Sequence, residues 1–108
     1  MCGFHGVFAE YSQEKEVNYD FVSLSHRGPD EKRKLKIDNL YLEFFRLKIL
    51  GGSFGSQPMY SENKEWLIAF NGEIYNYKEL AYFMKRKDLI NSGDTRVLVE
   101  FISKYGFD

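Results

Sequence analysis

Apolar positions recur at a period of two early in the chain and at a helical period late. Gly3 to Ala9 (GFHGVFA) is short and rich in aromatic and β-branched residues, which predicts a strand. Val17, Phe21, Val22 and Leu24 recur at helical spacing, predicting a short amphipathic helix before the break at Gly28-Pro29. Asn39 to Ile49 is the strongest strand signal. Leu40, Leu42, Phe44 and Arg46 lie on one face and Tyr41, Phe45, Leu47 and Ile49 on the other, so cover is expected on both sides. The Gly and Pro content from Gly51 to Pro58 predicts a loop. Glu65 to Phe70 (EWLIAF) predicts a second strand buried on both faces, leading into the turn pair Asn71-Gly72.

Two helices close the pattern. Asn76 with Glu79 three residues on marks a helix start, and Tyr77, Leu80, Ala81 and Met84 form its apolar stripe. After a break at Asn91-Ser92-Gly93, Val97, Leu98, Phe101, Ile102 and Tyr105 form a second face, closed by Gly106. Strands first and helices last predict an α+β layered arrangement in place of alternating βαβ units. Two long helices and one short one are thin cover for sheets buried on both faces.

Composition narrows the class. The 108 residues are 44% apolar and 18% aromatic, a length for one domain with enough ring area to build a core. Fifteen basic residues against 16 acidic ones give a net charge of −1. The basic cluster Lys32, Arg33, Lys34 and Lys36 lies beside Asp30, Glu31 and Asp38, which reads as a solvated loop and not a nucleic-acid surface. The longest clean apolar run, Trp66 to Phe70, is far below membrane-spanning length, and the first residues lack the pattern of a signal peptide. A single cysteine forms no internal disulfide, in keeping with a reducing cytoplasm, and with two histidines offers no metal-ligand spacing. No metal, nucleic-acid or membrane partner is expected.

Four polar features stand where a core would not need them. Cys2 directly follows Met1, so removal of Met1 would give it a thiol and a free α-amine together. Otherwise it is a small residue at the head of a strand. His5 is three residues away and so points to the opposite face of a strand, whereas the α-amine has a reference pKa of roughly 7.7–8.0, close to that of a free thiol. Arg46 interrupts an apolar face; it either pairs with a carboxylate such as Glu43 or Glu73, or grips a ligand carboxylate with its planar fork. Asn71-Gly72-Glu73 is either a plain turn or an oxyanion hole built from the Asn71 amide and the Gly72 N–H. Asp94 is either a helix N-cap or an acceptor for a ligand ammonium. A nucleophile, an oxyanion hole, a carboxylate binder and an ammonium binder together suit hydrolysis of a free amino acid's side-chain amide, as in glutamine.

Six segments carry a resemblance: MCGFHGVFA at the start, SHRGPDE at 25–31, FFRLKILGG at 44–52, QPM at 57–59, FNGEIYNYKEL at 70–80 and SGDTRVLVEF at 92–101. In this order and spacing they resemble the class II (N-terminal nucleophile, Ntn) glutamine amidotransferase domain of glutamine-hydrolysing asparagine synthetases. The resemblance implies two antiparallel sheets between helix layers. It implies that Cys2, once Met1 is lost, attacks glutamine's side-chain amide with its own α-amine handling the proton. Asn71 and Gly72 would form the oxyanion hole. Arg46, Leu47, Lys48, Ile49 and Leu50 would hold the glutamine α-carboxylate, with Glu73 and Asp94 at its α-amino end. Ammonia would pass to a synthetase domain in cis or in trans, where ATP and Mg are expected; none is expected in this chain.

The same comparison sets expectations for departures. Residues 1–108 match the N-terminal portion of such a domain, so the layered fold is expected to be truncated, with the synthetase half absent. Phe4 and His5 replace smaller or aliphatic residues, and Arg96 replaces an acidic one and could pair with Asp94. Other readings are a non-catalytic module acting through partner or ligand binding, with self-association through apolar surface, and a glutaminase serving another acceptor such as a sugar.

Overall fold

A computed structural model describes residues 2–8, 22–48 and 55–107. The chain divides into two compact units, Met1–Leu47 and Lys48–Asp108.

In the first unit, strands β1 (Gly3–Phe8), β2 (Glu31–Ile37) and β3 (Leu40–Arg46) form an antiparallel sheet in the order β1-β3-β2. β1 and β3 arise where the sequence predicts strands. Val22–Ser25 forms a single turn of helix, α1, within the predicted helical segment; Val17 and Phe21 lie outside the described residues. The predicted solvated loop at 31–37 is instead strand β2. Asp38, at φ 47°, and Asn39 turn the chain directly into β3, a conformation short polar residues tolerate. The charged run suits an edge position. Lys34 pairs with Glu43 and Lys32 with Phe45 in the register, so the lysine stems and charges find partners on β3.

Register divides the sheet into two faces. Phe4, Gly6 and Phe8 share one with Leu40, Leu42, Phe44 and Arg46. There Phe4 and Phe44 stack with centroids 6.0 Å apart. Gly6 leaves room for Leu42, whose Cδ2 would stand 2.7 Å from a Cβ. The other face carries His5, Glu43, Phe45, Lys32 and Lys34. Lys32 Nζ lies 5.1 Å from the centroid of the Phe45 ring.

The second unit pairs β4 (Met59–Tyr60) with β5 (Leu67–Ile68) in a short antiparallel hairpin. The predicted strand over 65–70 shrinks to these two half-buried residues of β5. The pairing stops because Phe70 N–H donates to the Gln57 side chain. Helices α2 (Tyr77–Phe83) and α3 (Asp94–Tyr105) flank a 3-10 turn, Lys87–Leu89. Ala81, Met84, Leu89 and Val97 form the core between them, with Tyr77, Leu80, Ile90 and Phe101 packed around it. This is the predicted stripe of α2 meeting one side of α3. Asn76 precedes α2 as predicted, but its side chain makes no capping bond. Gly106, at φ 80° and ψ −169°, ends α3 in a backbone conformation open essentially to glycine, and its N–H donates to the Ile102 carbonyl at 2.7 Å. Among the described residues no helix is long and apolar enough to cross a membrane.

Candidate functional site

In the first unit the predicted nucleophile, Cys2, is half-buried just ahead of β1. Antiparallel pairing of β1 with β3 brings it to the chain leaving β3: Leu47 N–H donates to Cys2 Sγ at 3.3 Å, and Sγ lies 3.6 Å from the Leu47 carbonyl oxygen. The sulfur is thus placed by main chain, one residue beyond Arg46. His5 does not serve Cys2. Its Nδ1 lies 3.8 Å from Glu43 Oε2, as strand alternation requires.

Arg46 is 3% exposed, and its Nη1 donates to Glu31 Oε2 at 3.2 Å. Its carboxylate partner is therefore directly opposite on β2, not Glu43. Glu43 is instead the hub of the other face. Tyr41 donates to it at 3.0 Å, and Lys34 and Lys32 stand 3.3 and 3.5 Å from its Oε1. Burial alone would raise the Glu43 pKa, but the Tyr41 and Lys34 hydrogen bonds and the two lysine charges outweigh it and hold it below the usual carboxylate range. The hydrogen bond to Glu43 raises the Lys34 pKa in turn.

The HRGPD stretch gains a structural reason. A Cβ on Gly28 would stand 2.2 Å from the Phe45 carbonyl carbon and 2.4 Å from Arg46 N. Only glycine lets this segment lie against the end of β3, where Asp30 N–H donates to the Arg46 carbonyl at 3.1 Å. The sequence reads Gly28-Pro29 only as a helix break and Glu31 only as part of a solvated charged run; neither role carries the close approach or the pairing with Arg46.

In the second unit Asn71, Gly72 and Glu73 are exposed in a bend leaving β5. Gly72 lies under the Phe70 ring, whose Cζ would be 2.7 Å from a Cβ. The ends of this bend are tied down. Phe70 N–H donates to Gln57 Oε1 at 2.6 Å, and Ile74 N–H donates to Asp94 Oδ2 at 2.9 Å. Asp94 is the first residue of α3, not its N-cap, which is Gly93. Its Oδ1 accepts from Thr95 N–H at 2.8 Å, a favourable place for a carboxylate in the first turn. With the Thr95 hydroxyl also 3.5 Å from Oδ1, a further lone pair remains on Oδ2. Arg96 does not pair with Asp94. It donates to the Tyr60 carbonyl at 2.7 Å and to Glu100 Oε1 at 3.3 Å.

Cys2, Arg46 and Leu47 thus gather at one end of the first unit's sheet, and Asn71, Gly72, Glu73 and Asp94 around one bend of the second. Lys48 is exposed in the chain that follows Leu47, while Ile49 and Leu50 lie outside the described residues. Gln57 and Thr95 are functional candidates the sequence reading missed; Gln57 was quoted only within QPM. An apolar groove of about 410 Å³ also runs between β5 and α3, lined by Trp66, Leu67, Phe70, Leu98 and Ile102.

The family model for the glutamine amidotransferase domain matches residues 1–108. The chain belongs to the glutamine amidotransferase domain family. Its relatives include asparagine synthetase [glutamine-hydrolyzing] 1 of Arabidopsis thaliana, 34% identical over 112 residues, covering 100% of this chain and 19% of the relative. Asparagine synthetase [glutamine-hydrolyzing] of Zea mays is 34% identical over 110 residues, covering 98% and 19%. Asparagine synthetase [glutamine-hydrolyzing] 1 of Bacillus subtilis (strain 168) is 34% identical over 113 residues, covering 97% and 18%. The amidotransferase chain spans about a fifth of the length of these curated relatives. The family is one of enzymes, of the class II type that the sequence motifs resemble.

Proposed function

We propose that this chain is the glutamine-hydrolysing module of an asparagine synthetase-like enzyme, with an Ntn-type layered fold of which residues 1–108 form the N-terminal portion. The observation that carries the reading is the family match across residues 1–108. Supporting it, the chain's one cysteine stands at position two, its sulfur held by the Leu47 peptide.

In this reading Met1 is removed and the Cys2 sulfur attacks the side-chain carbonyl carbon of glutamine. The thiol proton passes to the Cys2 α-amine and on to the departing nitrogen, so the C–N bond breaks, ammonia leaves and a glutamyl thioester remains. Water then adds to the thioester carbonyl; the C–S bond breaks, glutamate is released and the thiol regains its proton. The Asn71 amide and the Gly72 N–H stabilise the negative oxygen in both additions. Arg46 binds the α-carboxylate, with Leu47, Lys48, Ile49 and Leu50 around it, and Glu73 and Asp94 meet the ammonium. Ammonia goes to an ATP-dependent synthetase site in cis or in trans, in the cytoplasm.

Intact mass before and after incubation with an electrophilic glutamine analogue tests this. A mass lacking Met1, followed by one adduct that glutamine blocks, is the expected outcome. No adduct on a chain lacking Met1 would overturn the reading. It would favour the second one, a binding module without turnover, which the exposed aromatic side chains Tyr82, Phe83 and Phe107 support as a contact surface.

A further inference from the structure

We infer that Gln57 is a positioning residue for the Asn71–Gly72 oxyanion hole, and that through Thr95 it ties that loop to the Asp94 carboxylate. The inference rests on the glutamine hydrolysis proposed above and assigns the reaction a residue it did not include.

Gln57 is 6% exposed, so its side-chain amide must satisfy its hydrogen bonds within the protein. Its orientation follows from its partners. Phe70 N–H can only donate, so the atom facing it at 2.6 Å is Oε1. That turns Nε2 towards Thr95 Oγ1 at 3.3 Å, which accepts. The Thr95 hydroxyl hydrogen is then free to point at Asp94 Oδ1, 3.5 Å away. Every donor in this series points towards the carboxylate. At its far side Asp94 holds Ile74 N–H at 2.9 Å.

The three residues Asn71, Gly72 and Glu73 therefore hang between two buried anchors, Gln57 at Phe70 and Asp94 at Ile74. The shortest bond is the one from Phe70, the residue just before the oxyanion donors. Phe70 also covers Gly72 with its ring, so the same anchor fixes the surface behind the Gly72 backbone. Loss of the anchor leaves a donor without its acceptor and frees the strand end that aims the Gly72 N–H. Oxyanion donors bind the developing charge more than the ground-state carbonyl, so their misplacement lowers kcat more than it changes KM. The links through Thr95 are longer and weaker, and they couple loop position to the carboxylate that would hold the substrate ammonium.

Steady-state glutaminase kinetics on the full chain lacking Met1 decide the matter, with Cys2→Ala as control and thermal unfolding recorded for each variant. Gln57→Leu is expected to lower kcat about ten- to a hundred-fold, with KM within about three-fold, as for misplaced catalytic groups. Gln57→Glu keeps an acceptor for Phe70 N–H but donates to Thr95 only when protonated, so its activity relative to wild type is expected to rise as pH falls. A folded Gln57→Leu with unchanged kcat, or with kcat and KM altered in equal measure, overturns the inference. Should Gln57→Leu fail to fold, a Gln57→Glu activity ratio independent of pH overturns it, and the expected rise upholds it. A wild-type chain that releases no more glutamate than Cys2→Ala removes the proposed function and this inference together; an active wild type with an equally active Gln57→Leu removes this inference alone.

Discussion

The Cys2 sulfur is held by the peptide of Leu47, 3.3 Å from its nitrogen and 3.6 Å from its oxygen. Residues 45 positions apart in sequence meet because β1 and β3 run antiparallel with Gly3 opposite Phe45. The strand pairing that builds the sheet therefore also sets the Cys2 sulfur against the Leu47 main chain. Cys2→Ala is expected to reduce glutamine hydrolysis to background while changing stability by less than about 1 kcal/mol, since a half-buried, small side chain is lost. Glutamate release and urea unfolding of the variant check the two halves separately.

Arg46 offers a second test, of substrate binding. It is buried and shares its guanidinium with Glu31. Lysine keeps the charge but loses the planar fork that matches a carboxylate. A charge-assisted hydrogen bond is worth about 1.5–3 kcal/mol, so Arg46→Lys is expected to raise the KM for glutamine roughly ten- to a hundred-fold. An unchanged KM would remove Arg46 from the binding site.

Gly28→Ala is expected to destabilise the chain by about 2–3 kcal/mol, because the new methyl meets backbone that cannot rotate away. The contact lies at 2.2 Å from Phe45 C and 2.4 Å from Arg46 N. Denaturant midpoints at constant m-value would show it. In contrast, Gly106→Ala has open space at its Cβ and suffers only from its backbone conformation, φ 80° and ψ −169°, for an expected cost of about 1–3 kcal/mol.

Glu43 gives the first unit a pH signature. Its pKa is lowered by the fold, so its stabilisation is present above its unfolded value of about 4.3 and lost as pH falls through the lower folded value. The raised pKa of Lys34 acts at the other end: its contribution is present below about 10.4 and lost as pH rises through the folded value. Thermal unfolding of the wild type against Glu43→Gln is expected to show the gap between them closing below about pH 4. A gap that stays constant down to pH 2 would contradict the role of the charge.

In the second unit Met84 is 2% exposed within the cluster of Ala81, Leu89 and Val97. Met84→Ala is expected to cost about 2–5 kcal/mol through the lost burial and the cavity left behind. A smaller loss would mean that the helices close over the gap.

The elements legible in the sequence are those whose signal is local. The i, i+3, i+4, i+7 stripe from Tyr77 to Met84 determined α2 and its buried face, Gly106 determined the end of α3, and the apolar alternation from Leu40 to Phe44 determined β3. The six segments from MCGFHGVFA to SGDTRVLVEF, in their order and spacing, carried the resemblance to the family. What tertiary structure decided was pairing. Lys32, Lys34 and Lys36 read as a solvated run because charge dominates the segment, and only β3, with Phe45, Glu43 and Tyr41 opposite them, makes it a strand. Trp66 to Phe70 reads as a longer strand because its residues are apolar, but Gln57 takes the Phe70 N–H and ends the ladder. Arg46 chose Glu31 over nearer-looking carboxylates for the same reason: register places residues 15 apart side by side, and no sequence periodicity carries that distance.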